Sequence, residues 1–395
     1  MHKIESLINT LCPNGVEYKT LGEVCQILDS KRIPITKAHR KKGIYPYYGA
    51  NGIQDYVDGY IFDGEFVLMG EDGSVMNADN TPVINWASGK IWVNNHAHVL
   101  QTKEIMKLRF LYYYLQTIDI SPLVAGTPPK INQTNLKTIP IPIPPLEVQE
   151  EIIIILDAFK ELTAELTAEL TARKKQYEYY RHTLLDFGTP DNPKNGAKFR
   201  SISSFASCVS GATPSTSVRK YWENGTIPWL SSGEVNHRKI TKTEKYITQA
   251  GYQSASTKML PKDSVLIALA GQGKTRGLVA ITKIELCTNQ SVCGIMTNEE
   301  VNSTYLYHYL TNCYTNLRHI SSNDGGRGGL TLTMIREYRV PIPPLEVQEK
   351  IVKILDKFES LTHDLQEGLP AEIQARTKQY EYYRNQLLTF KKLES

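Results

Sequence analysis

The sequence predicts an α+β fold in which two globular domains of mixed strands and helices alternate with two long helices. The nonapeptide Pro-Ile-Pro-Pro-Leu-Glu-Val-Gln-Glu occurs at 142–150 and again at 341–349, and a heptad-like apolar pattern follows each copy. The heptapeptide Lys-Gln-Tyr-Glu-Tyr-Tyr-Arg also occurs twice, at 175–181 and 378–384. The segments in front of the two helices differ strongly. We therefore interpret the chain as a tandem duplication with conserved helices and diverged domains.

Length and composition predict a soluble globular protein. The chain has 395 residues, of which 41% are hydrophobic and 22% charged, and this length suits two to three domains. The longest aliphatic run, 265–270, is far too short to span a membrane, and no secretory signal is recognisable at the N-terminus. Six cysteines without a C-x-x-C pair make a zinc site or a disulfide framework improbable. We expect a cytoplasmic protein without metal or cofactor.

Charge is divided between domains and helices. Residues 191–343 carry 18 Lys and Arg against 10 Asp and Glu, whereas residues 145–190 carry 5 against 9. The remaining segments are nearly balanced, with 14 against 13 in 1–144 and 7 against 8 in 344–391. The globular segments, above all the second, are therefore expected to face a polyanion.

Both domains show the same order of elements. The first, 1–144, has strand-like runs followed by an amphipathic helix, at 66–69, 83–86, 91–93, 97–101 and then 107–118. The second, 189–343, opens with most of a linker at 188–196, and its runs and helix lie at 227–230, 264–270, 278–284, 292–296 and then near 303–313.

The long helices, 145–188 and 344–391, begin at Pro145 and Pro344, where a missing N–H costs nothing. Chain order favours their pairing as an antiparallel coiled coil, because a globular domain separates them. The repeats Thr-Ala-Glu-Leu-Thr-Ala-Glu-Leu fill 163–170, and the offset between the two halves changes from 199 to 203 residues there. This block is a helical spacer whose length sets the distance between the domains. Gly-Leu-Pro at 368–370 is expected to interrupt the second helix.

Family-like motifs occur in both domains. They are Tyr-Pro-Tyr-Tyr-Gly-Ala-Asn-Gly-Ile (45–53), Phe-Val-Leu-Met-Gly-Glu-Asp-Gly (66–73), Gly-Ala-Thr-Pro-Ser (211–215), Tyr-Trp (221–222) and Ile-Pro-Trp-Leu-Ser-Ser-Gly (227–233). Together with the duplicated connector, they make nearly the whole chain resemble the specificity subunit of type I restriction–modification enzymes. The Thr-Ala-Glu-Leu repeats resemble those of the subfamily in which this helix separates the recognition domains.

The resemblance implies a non-catalytic DNA reader with two target recognition domains, each reading one half of a bipartite site. Its partners would be two copies of a DNA adenine methyltransferase (modification) subunit about a pseudo-twofold axis, and motor-nuclease subunits recruited through them. No methyltransferase signature is present in the sequence. An alternative is a coiled-coil scaffold or architectural DNA-binding protein that needs no methyltransferase partner. A third class, an NTP-dependent enzyme, would depend on 271–275.

Candidate DNA-reading residues are polar or basic side chains near turns. Gly-Gln-Gly-Lys-Thr at 271–275 resembles the end of a P-loop, but glycine is missing at Ala268 and a strand pattern follows where a P-loop needs a helix. A DNA-facing loop or an ordinary hairpin turn are the other interpretations. Arg327 could contact DNA or only solvent. The paired tyrosines 47–48 are expected in the core. The full candidate set is Asn94, Asn95, His96, Lys130, Gln272, Lys274, Arg276, Asn289, Gln290 and Arg327.

The duplicated heptapeptide supplies candidates for a partner-facing surface. Its first tyrosine, Tyr177 or Tyr380, and its last, Tyr180 or Tyr383, fall on the apolar seam. The residues between and beside them are expected to point outward: Glu178, Tyr179, Arg181, Glu381, Tyr382 and Arg384.

Overall fold

The computed structural model describes residues 2–271, 275–321, 329–363 and 367–394. The chain divides into two compact units, one formed by residues 1–167 with 372–395 and the other by residues 168–371. The boundary at 167 lies inside a helix, whereas the sequence suggested the linker 188–196. That linker instead contains a short antiparallel hairpin, because Gly188 adopts a positive φ and Lys194 N donates to Phe187 O.

The first unit contains eight strands and four short helices among its described residues, together with parts of two long helices. Its strands are β1 (Glu17–Thr20), β2 (Cys25–Ile27), β3 (Lys42–Gly49), β4 (Gly52–Val57), β5 (Phe62–Gly70), β6 (Ile84–Val93), β7 (Ala97–Thr102) and β8 (Pro140–Ile143). Its short helices are α1 (His2–Leu11), α2 (Leu21–Val24), α3 (Leu108–Leu115) and α4 (Gln133–Lys137).

Six of these strands form one sheet in the order β2-β7-β5-β6-β3-β4. The runs 83–86 and 91–93, predicted as separate strands, are joined in β6. Gly89, which lies between the two runs, is opposite Gly64 in the β5–β6 ladder, and both adopt positive φ. A glycine pair can occupy such positions within a ladder without a steric penalty. Helix α3 is shorter than predicted because Gln116 leaves the helical conformation.

The second unit has more and shorter elements. Its strands are β9 (Gly188–Thr189), β10 (Asn192–Pro193), β11 (Phe199–Ser201), β12 (Ala206–Ser210), β13 (Ile227–Leu230), β14 (Lys239–Ile240), β15 (Lys245–Ile247), β16 (Val265–Ala268), β17 (Val279–Thr282), β18 (Cys287–Thr288), β19 (Val292–Thr297) and β20 (Arg339–Pro341). The helices that follow α5 (Leu146–Leu184) are α6 (Gln249–Ser254), α7 (Ser303–Asn312), α8 (Tyr314–Ile320), α9 (Leu332–Glu337), α10 (Leu345–His363) and α11 (Leu369–Leu387).

In both units a short antiparallel strand pair joins the two ends of the globular segment. In the first, β1 pairs antiparallel with β8, so the ends of the globular segment meet beside the start of α5. In the second, β11 pairs antiparallel with β20 beside the start of α10. The larger sheets differ, since the second unit has a five-stranded sheet (β12-β19-β16-β17-β14) and a three-stranded one (β15-β13-β18).

Within each unit, two helix segments contact each other through aromatic rings. In the second unit Tyr177 lies against His363, and Tyr180 stacks on Phe358 with ring centroids 5.3 Å apart. In the first unit Phe159 stacks on Tyr383 at 5.5 Å. In the second unit the residue numbers rise along one segment as they fall along the other, so the two segments run antiparallel. The predicted interruption near 368–370 agrees with a new helix, α11, that begins at Leu369.

The duplicated nonapeptide contains a glutamine that is fully buried in both copies. Gln149 accepts from Lys107 N and donates to the carbonyl oxygens of Ile105 and Pro144, at 2.8–3.1 Å. Gln348 makes the same three bonds over the same distances, to the backbone of residues 300, 302 and 343. Each glutamine thus ties the start of a long helix to the loop before α3 or α7. Identical bonds explain why this part of the sequence is repeated.

Along the described residues, no helix is both long and apolar enough to cross a membrane. The six cysteines are free thiols, and five of them are buried.

Candidate nucleic-acid interface

The loop between β6 and β7 contains the first three candidates. Asn94 is 3% exposed, and its Oδ1 accepts from His96 N at 2.8 Å. Its side chain shapes the turn from within, and a contact of Asn94 with DNA bases stays a prediction. Asn95 and His96 are exposed at the tip of the loop.

Two further segments meet this loop. Glu71, which follows β5, donates its backbone N–H to His96 O at 2.8 Å, and the His96 ring contacts the Asp72 carboxylate. Lys130 lies 3.1 Å from a Glu71 carboxylate oxygen, and Ile131 N donates to Glu71 O. The structure therefore brings His96 and Lys130 to one place, as a cluster of three loops.

A buried ionic network supports this cluster. Arg32 pairs with Glu71 at 2.6 Å and with Asp29 at 3.4 Å, and His98, which is 1% exposed, contacts Asp29 at 2.6 Å. Burial alone would raise the pKa of Asp29, but the hydrogen bond and charge of His98, with smaller contributions from Val99 N and Arg32, lower it below its ordinary value. Asp29, Glu71 and His98 are close enough to hold a metal ion, but Arg32 and Lys130 already pair with the carboxylates.

The second unit builds a similar loop between β18 and β19. Asn289 Oδ1 accepts from Ser291 N at 3.1 Å, as Asn94 does from His96, and Gln290 is exposed at the tip. Leu269 N donates to Ser291 O, and Leu330 N donates to Leu269 O. The same three-loop arrangement therefore recurs with different side chains at the exposed tips.

The remaining candidates lie along the segments that follow β16 and precede α9. Gln272, Lys274 and Arg327 fall outside the described residues. Arg276 is described, and its carbonyl oxygen accepts from Arg318 at 3.4 Å. The segment continues into the strand β17 and not into a helix, so it lacks the helix N-terminus of a P-loop.

The family-like motifs of the second unit hold the segment 211–215 beside the loop between β18 and β19. A Cβ on Gly211 would lie 1.8 Å from Thr288 O, so only glycine permits this approach. Trp229 donates to Ala212 O at 3.0 Å and packs edge-on against Trp222. Thr213 then donates to Gln290 Oε1 at 2.7 Å. In the first unit Tyr47 and Tyr48 are 1% and 8% exposed, which confirms their place in the core.

Sequence reasoning missed a basic segment of the first unit. Residues 31–42 contain six Lys or Arg, one His and no acidic residue, and the near-zero charge of 1–144 as a whole concealed this run. Arg32 points inward to its carboxylates, and Arg40 lies 4.2 Å from the centroid of the Tyr47 ring. Four lysines of the segment are exposed: Lys31, Lys37, Lys41 and Lys42. A count of charge in short windows would have found them.

The candidate partner surface divides into exposed and half-buried residues. Tyr179 and Tyr382 are 65% and 60% exposed, and each packs edge-on against the stacked seam tyrosine that follows it. Glu178 and Glu381 are exposed as well. Arg181 and Arg384, expected to point outward, are half-buried because their guanidinium groups lie over the rings of Tyr177 and Tyr380.

Comparison with known proteins agrees with this architecture. The family model for the type I restriction modification DNA specificity domain matches residues 13–173 and 194–375. The chain is 38% identical to a putative type I restriction enzyme specificity subunit of Haemophilus influenzae, over 95% of this chain and 96% of that protein. It is 36% identical to the specificity subunit of the Escherichia coli enzyme EcoR124I/EcoR124II, over 96% of both chains. The chain therefore belongs to the family of type I restriction–modification DNA specificity subunits.

Solved structures of such subunits share the fold. The S subunit of a type I restriction-modification system from M. genitalium matches with a TM-score of 0.63 at 16% identity, covering 94% of this chain and 96% of that one. The HsdS subunit of Thermoanaerobacter tengcongensis matches with a TM-score of 0.52 at 18% identity, covering 96% of both.

Proposed function

We propose that this specificity subunit reads a bipartite DNA site, with one recognition domain for each half-site. The observation that carries the proposal is the three-loop cluster that occurs once in each unit. Both clusters use an asparagine to shape the central turn, but the exposed tips differ, with Asn95 and His96 in one and Gln290 in the other. Equivalent loops with different side chains suit two dissimilar base sequences.

Phosphate contacts would position the first domain on DNA. The exposed lysines of 31–42 form the densest run of positive charge in this domain, and Arg40 and Arg32 are fixed within the same segment. Basic side chains that neutralise phosphates supply affinity without sequence information, and base edges supply the specificity. The second domain has a larger excess of basic residues and would bind in the same way.

We propose that the two long helices pair as an antiparallel coiled coil. We also propose that the chain arose by tandem duplication of a domain and its helix. Phe159 with Tyr383 and Phe358 with Tyr180 are the same ring pair in each unit, related by the offsets of 199 and 203 residues. An exposed tyrosine, Tyr382 or Tyr179, extends each pair toward solvent. Identical exposed surfaces favour two copies of one partner, for which we propose a DNA adenine methyltransferase subunit, with motor-nuclease subunits bound through it.

This chain is proposed to act without catalysis of its own and in the cytoplasm, where its DNA target lies. The relatives favour this function over that of an architectural protein without a methyltransferase partner. The two classes predict different behaviour. A specificity subunit co-purifies with a methyltransferase and needs it for modification, whereas an architectural binder is a lone monomer with full affinity for its site.

Methylation of randomised DNA by the assembled complex tests the bipartite site. Two short conserved blocks separated by an unread spacer of fixed length are expected. A single continuous recognition sequence, or none, would refute the proposal.

The Thr-Ala-Glu-Leu block at 163–170 provides a second test. One added copy lengthens a helix by about 6 Å, which corresponds to one or two base-pair steps of about 3.4 Å. The tolerated spacer should change while both half-sites stay the same. Altered half-sites with an unchanged spacer would contradict a role of this block in spacing.

A further inference from the structure

Positions 160 and 359 are equivalent in the two halves of the chain but carry opposite charges. Each lies three residues after an aspartate that both halves carry, Asp157 or Asp356, on the helix that follows its own domain. Each also meets the hydroxyl of an equivalent tyrosine. Lys160 donates to the hydroxyl of Tyr112 at 3.4 Å, whereas the hydroxyl of Tyr307 donates to Glu359.

In the second unit, Glu359 is held by cations of the recognition domain. Its side chain is 5% exposed, Lys239 Nζ lies 3.2 Å from Oε2, and Arg238 Nη1 lies 3.6 Å from Oε1. Lys239 also reaches Asp356 at 3.4 Å, and the fully buried His308 contacts Asp356 at 3.1 Å. Burial alone would raise the pKa of Glu359, but the charges of His308 and Lys239 and the Tyr307 hydrogen bond lower it, so the carboxylate is ionised.

The junction of the first unit has the reverse arrangement. Arg109 of the domain pairs with Asp157 at 2.8 Å, so the aspartate of the helix is already neutralised. Lys160 lies over the rings of Tyr112 and Tyr113, 4.6 Å from each centroid. Burial and the nearby Arg109 lower the pKa of Lys160 to about 8, and Asp157 opposes this only in part. With respect to the second domain, α5 therefore offers Asp157 where α10 offers Asp356, but it carries the cation Lys160 where α10 offers the carboxylate of Glu359.

We propose that the charge at these equivalent positions determines which long helix the second recognition domain docks on. Glu359 favours docking on α10, and Lys160 prevents docking on α5. On α10 the domain places Lys239 and Arg238 against the buried Glu359. On α5 the same two cations would meet the like charge of Lys160 in a half-buried site, where charge repulsion opposes docking. The order of the two domains in the chain, and hence of the two half-sites in the DNA, is then fixed by the junctions as well as by chain connectivity.

A cavity beside this junction allows the charge to be tested without a steric clash. It has a volume of about 680 Å³ and is lined by Arg238, Lys239, Glu359, Ser360 and His363, among others. A lysine at 359 can therefore extend into open space, and its effect would come from charge repulsion rather than overpacking.

The first experiment is a charge swap in the full-length chain. Glu359→Lys should speed amide exchange in α7 by at least about tenfold, the factor that 1.4 kcal/mol produces. Amides of α3, in the other unit, should not change. Lys239→Glu combined with Glu359→Lys should restore part of the protection, because Asp356 and Arg238 keep their charges beside the exchanged pair. Glu359→Gln should lie between the wild type and Glu359→Lys. Two results would refute control of docking by the charge at position 359. One is a double variant that exchanges as fast as Glu359→Lys, and the other is a Glu359→Lys variant that is as protected as the wild type.

The second experiment exchanges domains. Residues 17–143 are replaced by 198–342, which places the second recognition domain in front of α5, and the chimera is made with Lys160 or with Lys160→Glu. The Lys160→Glu chimera should show at least about tenfold slower exchange at the grafted junction. Equal protection in the two chimeras would overturn the proposal.

Because the second domain reads a half-site only under the function proposed above, binding to each half-site is measured separately from exchange. Glu359→Lys should weaken binding to the second half-site about tenfold and leave the first unchanged. The exchange rates could follow the expected order while the protein shows no preference for either half-site. That outcome would contradict the proposed function but would still support control of docking by the charge at position 359.

Discussion

Replacement of Gln348 by methionine removes three buried hydrogen bonds with little change in side-chain volume. Gln348 is fully buried, and its amide bonds to Asn302 N, Glu300 O and Pro343 O at 2.8–3.1 Å. A net contribution of about 1 kcal/mol per hydrogen bond gives a loss of about 3 kcal/mol, before the cost of the unpaired backbone groups. The α7 helix should be affected first, because Asn302 also caps its N-terminus through Thr304 N and Tyr305 N.

Thermal unfolding and amide exchange measure this loss. At about 2–4 °C per kcal/mol for a unit of this size, the midpoint of the second unit should fall by about 6–12 °C. Gln149→Met should produce the same change in the first unit, because Gln149 makes the same three bonds. Gln374→Met, at an exposed position of α11, is the matched control and should change little. A loss below about 1 kcal/mol for both buried variants would refute the reasoning that these bonds anchor the domains.

Three further predictions concern DNA binding, partner binding and pH. Neutralising the exposed Lys37, Lys41 and Lys42 together should weaken DNA binding at all sequences. The slope of log K against log salt concentration should become less steep by up to about 2.7, at about 0.9 per phosphate contact. Tyr179→Ala and Tyr382→Ala should each reduce methyltransferase binding in titrations and leave the midpoint of thermal unfolding unchanged. The double variant should bind no partner, and a fully assembled complex of the double variant would contradict the proposed surface. Since the pKa of Glu359 is lowered in the folded state, its contribution to stability should be complete above about pH 4.5 and disappear as the pH falls through its folded pKa, so the stability difference from Glu359→Gln should shrink in acid.

The starts, the apolar periodicity and the interruption of the long helices could be predicted from the sequence, because they depend on residues close together in the chain. Proline at the helix starts, the three- and four-residue apolar pattern and the Gly-Leu-Pro interruption are local signals, and α5, α10 and α11 follow them. Local apolar runs also indicated seven strands of the globular segments, namely β5, β6, β7, β13, β16, β17 and β19. Strands β3 and β4 of the six-stranded sheet were not predicted, and the runs 83–86 and 91–93 proved to be one strand, β6, because Gly89 pairs with Gly64 across the sheet.

The candidate site was predicted less completely because side-chain roles depend on contacts between distant segments. Asn94 and Asn289 are polar residues near turns, and in the structure their side chains accept the hydrogen bonds that form these turns. Lys130 and His96 were named separately, and only the fold brings them to the same cluster around Glu71 and Asp72. The basic run 31–42 was visible in the sequence and was lost in an average over the whole domain.

The sequence alone determined the two repeated peptides, the starts of the long helices and the family resemblance, because identity between two segments requires no knowledge of contacts. Only the tertiary structure decided what the repeated residues do. It places Gln149 and Gln348 in the same buried bonds, stacks Phe159 and Phe358 on equivalent tyrosines, and gives the opposite charges of Lys160 and Glu359 different surroundings. The physical reason is that burial and charge pairing arise between residues far apart in the chain, where sequence periodicity carries no information.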